Sequence, residues 1–84
     1  MNVQFHQDKE ENIMNRPLWV QKLSDEQLKE MLTYVQDMEI LGGTQEEKVL
    51  QITETWYSQK VGIERLMAFS IDVWKEAAFR WWKP

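Results

Sequence analysis

Between Leu23 and Leu50 the chain carries two helix starts and one helix stop, and that punctuation leaves room for little besides helices. Ser24 and Gln27 have the spacing of a capping box, in which each residue's side chain bonds the other's backbone N–H, and Leu23 with Leu28 has the spacing of a hydrophobic staple. Asp25 and Glu26 then fall in the first turn, where the positive end of the helix dipole favours acids. Leu28, Met31, Leu32, Val35 and Met38 follow at steps of three and four, the period of an amphipathic helix. Gly42-Gly43 supplies residues able to take the left-handed conformation that ends one. A helix is predicted over 25–41.

Thr44 and Glu47 repeat the capping spacing, so a second helix is expected to open at once, over about 45–60. It would run through Val49, Leu50, Ile52, Trp56 and Tyr57 to Val61. A Gly-Gly link is short, which predicts antiparallel or steeply crossed packing of these two helices. Gly62 costs roughly 1 kcal/mol in a helix interior relative to Ala. It divides the remainder into a third segment over 63–82, leaving open whether Gly62 is a bend or a full turn.

Ahead of these, residues 1–15 are mostly polar, with isolated Val3, Phe5, Ile13 and Met14, and are expected to form a flexible N-terminal arm. Asn15-Arg16-Pro17 can start one turn of helix, with Asn as cap and Pro in the first turn. That turn carries Leu18, Trp19 and Val20, and Trp19 is expected to fold back onto the bundle. The fold class that follows is all-α, a small two-to-three-helix bundle forming one domain over 16–84. Eighty-four residues allow no more than one domain.

Composition narrows the function. The chain has no cysteine, so disulfides and thiolate metal sites are excluded, and its one histidine, His6, lies in the polar leader. The acid pairs Glu10-Glu11, Asp25-Glu26 and Glu46-Glu47 have no histidine at ligand spacing. Two of the three fall in expected first helical turns, where the dipole accounts for them. No catalytic, metal or cofactor-binding residue is expected, and the chain is not expected to be an enzyme. Neither a translocation signal nor an apolar run of about 18 residues is visible, which favours a cytoplasmic location.

Charge is uneven. Residues 1–50 hold ten acids and five bases, whereas residues 51–84 hold four acids, five bases and four of the five tryptophans. An acidic chain is a poor match for a phosphate backbone, so nucleic acid is an unlikely partner on composition.

Placed at ~100° per residue, the segment 63–82 separates into two arcs. Glu64, Arg65, Asp72, Lys75, Glu76, Arg80 and Lys83 share one of ~160°. Ile63, Leu66, Met67, Ile71, Val73, Trp74, Ala77, Ala78 and Trp81 lie opposite, with Trp82 at the edge. On this wheel Trp74 and Trp81 belong to the core stripe. Phe79 projects from the charged arc, and Phe69 lies near its margin.

So wide an apolar face exceeds the ~100° that packing against one neighbour needs, and Trp is enriched at binding hot spots. The expectation is a non-catalytic regulatory or adaptor protein that binds protein, as a homodimer or with a different chain. Trp74, Phe79, Trp81 and Trp82 would be its anchors, Phe69 and Trp19 its outer members, and Arg80 and Lys83 would orient an acidic rim. Asp72 with Lys75 and Glu76 with Arg80 have the spacing of surface ion pairs.

Two other functions fit the pattern. WYSQKVGIERLMAFS can be laid on a DNA-binding helix-turn-helix with Gly62 at the turn and Ile63 and Ala68 buried after it. The balanced charges of the would-be recognition helix count against this. A membrane-surface helix would suit the tryptophans, but acids match bases along its polar face.

Overall fold

The computed structural model describes residues 15–82. The expected arm, apart from Asn15, lies outside them, as does Lys83. Among the described residues four helices are present: α1 (Leu18–Gln21), α2 (Asp25–Leu41), α3 (Glu47–Trp56) and α4 (Ile63–Trp81). The all-α bundle expected from the sequence is what the described residues form.

The start of α2 is as its sequence dictates. The Gln27 N–H donates to Ser24 Oγ at 3.1 Å, and the Ser24 N–H donates to Gln27 Oε1 at 2.8 Å. Two of the donors that a helix start leaves unpaired are thereby satisfied. The helix stops at Gly42, whose φ of 75° lets its N–H reach the Met38 carbonyl at 2.8 Å.

The start of α3 differs from the expectation. Thr44 does not cap a helix; its Oγ1 accepts from the Glu46 N–H at 3.0 Å and turns the chain two residues earlier. Glu46 takes the cap position without a side-chain bond, and α3 begins at Glu47. It also ends earlier than 60, because Tyr57 leaves the helical path to bury its ring in the core. Residues 57–62 make a full turn, settling the question left open at Gly62. That residue has φ 59° and ψ −135°, a conformation essentially reserved for glycine. Arg65 reaches back across the turn, donating from Nε to the Lys60 carbonyl at 3.0 Å and from a terminal nitrogen to the Ser58 carbonyl at 3.4 Å.

All three preceding helices make their main helix contacts with α4. The expected α2–α3 hairpin is thus not the organising unit, although Lys48 of α3 lies 3.4 Å from Glu30 of α2 at the surface. The core is a single cluster around Phe69 and Val73 of α4, with Leu28, Met31 and Val35 from α2, Val49 from α3 and Trp19 and Val20 from α1. Burying a side chain such as Phe69 in full stabilises by roughly 1.5–3 kcal/mol.

At the first short helix, Pro17 occupies the cap position that had been expected of Asn15. Trp19 folds back as expected, stacking on Phe69 with ring centroids 5.4 Å apart and meeting Tyr57 edge-on at 6.4 Å. Its indole N–H donates to Tyr57 Oη at 3.1 Å, so the polar end of a buried ring is satisfied.

Candidate functional site

Two opposite sides of α4 decide where a ligand could reach the molecule, and the structure departs in part from the sides expected from the sequence. Val73 and Ala77 are buried and Glu64 and Phe79 exposed as expected, but other positions differ. Phe69 is 0% exposed and Glu76 is 2% exposed, whereas Trp74 is 50% and Ile63 is 72% exposed. Within the arc expected to face water, Glu76 is buried and Asp72 and Arg80 are partly so. Much of the apolar stripe expected to form the core stands outside.

The inward turn of the charged arc has a specific cause. Glu76 accepts from Arg16 Nε at 2.5 Å through one carboxylate oxygen and from Arg80 Nε at 2.6 Å through the other. Arg80 also donates to Asp25 Oδ1 at 3.0 Å and to the Leu23 carbonyl at 2.6 Å, with longer bonds to the carbonyls of Val20 and Gln21. The carbonyls at the end of α1 are therefore held by a side chain of α4. Burial works against the charge on Arg80, but its bonds to Glu76 and Asp25 outweigh that and raise its pKa above the ordinary arginine value. Charges so completely paired can be packed inward, and Phe69 goes with them, beside Val73, which is buried as expected.

Asp72 joins the same side, accepting from Tyr57 Oη at 2.5 Å. Burial pushes the Tyr57 hydroxyl well above its ordinary range. The bond to Asp72 adds to this, while the indole N–H of Trp19 works against it. The spacing of Asp72 with Lys75 yields an ion pair at 3.8 Å. Glu76 with Arg80 also forms its pair, but buried rather than at the surface.

Several expected binding residues therefore have other placements. Phe69 and Trp19 are interior and unavailable to a partner. Arg80 is engaged inside the chain instead of orienting a rim. Phe79 remains half-exposed but carries the Arg16 guanidinium 3.6 Å above its ring centroid, a cation–π contact that accounts for an aromatic on this side. The helix-turn-helix register is contradicted at Ile63, which is exposed instead of buried.

The other side of α4 presents Ile63, Met67, Ile71, Trp74, Trp81 and Trp82, all substantially exposed. Lys29 of α2 lies 5.8 Å above the Trp81 ring. Beside the N-terminal half of this face is an open groove of about 370 Å³, lined by Met38, Glu39, Gly42 and Gly43 at the end of α2 and by Ile63, Leu66, Met67, Ser70, Ile71 and Trp74 of α4. Its lining is predominantly apolar, the type of surface that small molecules and protein side chains both use. Sequence reasoning found the tryptophans but missed the groove. The available signal was Gly42-Gly43, which follow Met38 and bring no side chains to the groove that they line.

Among the described residues no cluster of His, Asp or Glu could hold a metal ion, and no helix is long and apolar enough to cross a membrane. Compared with models of protein families, with curated proteins and with solved structures, the chain matches none.

Proposed function

We propose that this protein is a non-catalytic binding module, of the regulatory or adaptor kind, that docks protein on the outward face of α4 and does so as a homodimer. One observation carries the reading. The longest helix turns its charged side into its own chain and leaves a continuous row of large apolar side chains, Ile63 to Trp82, in contact with water. Contiguous apolar surface of this kind marks interaction sites, and Trp is the side chain most often found at their energetic centres.

DNA binding is less well supported. The connection over 57–62 is longer than the three- or four-residue turn of a helix-turn-helix. Two cations that α4 might offer, Arg65 and Arg80, are bonded within the chain. Sedimentation equilibrium at micromolar concentration tests the proposal. A dimer is expected, converted to monomer by Ile71→Asp without loss of helical circular dichroism. A monomeric wild-type protein would sink it.

A further inference from the structure

We infer that the partner on this face is a second copy of the chain running antiparallel to the first, with Trp82 and the edge of Trp81 of each copy seated in the groove of the other. The inference rests on the homodimer reading above and adds to it an orientation and an occupant.

Spacing is the first support. Met67, Ile71, Trp74, Ala78 and Trp81 follow one another at intervals of four, three, four and three. This is the seam of two helices packed side by side at a shallow angle. Among the described residues α4 is held from the far side, through Phe69, Val73 and Glu76, which leaves the seam exposed.

Shape is the second. The face is concave at its N-terminal half, where Gly42 and Gly43 bring no side chains to the groove. Its C-terminal half carries the exposed indoles of Trp81 and Trp82. Parallel copies would set groove against groove and indole against indole. A two-fold axis near residues 74–78 instead places each copy's exposed indoles over the partner's groove, and sets Trp74 beside the small Ala78. Such a contact is isologous, the commonest kind in homo-oligomers.

Charge is the third. Glu39 lines the groove and exposed Glu64 lies on the same half of α4, while exposed Lys29 stands over Trp81 at the other end. Antiparallel pairing brings unlike charges together, and parallel pairing brings Glu39 and Glu64 against their own copies.

Because the chain has no native cysteine, single-cysteine variants read the orientation directly. Ala78→Cys, beside the axis, is expected to form a disulfide-linked dimer under mild oxidation. Glu64→Cys is expected not to, since the two copies of that position would be roughly 36 Å apart along the helices at 1.5 Å per residue. Trp82→Ala should weaken dimerisation about tenfold or more, as loss of an anchoring indole does.

Equal cross-linking at both positions would mean a parallel dimer, overturning the orientation while leaving the homodimer standing. A wild-type dimer in which neither variant cross-links, or that Trp82→Ala leaves intact, would also overturn the inference. A monomer whose tryptophan emission shifts red on removal of residues 1–14 would put that segment in the groove, and both readings would fall.

Discussion

One side of α4 holds Glu76, which is buried, with Asp72 and Arg80, which are partly so; the other holds Ile63, Ile71 and Trp74 and is wet. Hydropathy alone would have assigned them the other way round. Residue type decides burial only through the partners that a fold can supply. Glu76 lies between two guanidiniums and Asp72 receives a phenol, so their polar atoms lose little by leaving water. Trp74 is left half-exposed by the described helices.

The contrast can be broken most decisively at Glu76. Glu76→Ala removes the buried carboxylate that Arg16 and Arg80 share and is expected to cost about 3–5 kcal/mol, measured by urea unfolding. A loss below 1 kcal/mol would mean that the buried pairs contribute far less than the geometry implies. Tyr57→Phe should come next. It deprives the buried Trp19 N–H of its acceptor and is expected to cost about 1–3 kcal/mol.

The same hydroxyl gives a pH signature. Its folded pKa lies above the ordinary tyrosine value of 10.0, so the folded state keeps a proton that the unfolded chain gives up. The contribution is fully present below pH 10 and is lost progressively as pH rises beyond it. Unfolding free energy should therefore fall in alkaline solution, with a shallower fall in Tyr57→Phe. An identical decline in both proteins would assign the effect elsewhere, Tyr34 being the other raised tyrosine.

The smallest expected effect is on the wet side. Trp74→Ala, measured at concentrations low enough to keep the chain monomeric, should change stability by less than about 1 kcal/mol, as exposed substitutions do. Dimerisation should weaken at the same time. Equal stability losses from Trp74→Ala and Glu76→Ala would erase the distinction between the two sides.

Much of the architecture is legible in local sequence. Ser24, Gln27 and Gly42 mark the ends of α2 because caps act within four residues and need no tertiary information. Gly62 marks the turn for the same reason. The orientation of α4 is not legible, since it depends on contacts such as Arg16 with Glu76, sixty positions apart. A helical wheel treats every charge as solvent-seeking and has no means of registering a partner contributed by a distant segment. The candidate site was therefore half visible: Trp74, Trp81 and Trp82 were named, but Trp74 and Trp81 were assigned to the core. Phe69 and Arg80 were named as binding residues and belong to the interior.

That every helix leans on α4 has a bearing on how the protein is made. As the polypeptide emerges from the ribosome, α1, α2 and α3 appear before the element that shelters them, and the bonds from Arg80 to the carbonyls of Val20, Gln21 and Leu23 close last. Isolated helices of ten to seventeen residues are marginal in water. The nascent chain therefore stays largely unstructured until residues 63–81 are free, and the described helices fold together once that element is available instead of one after another.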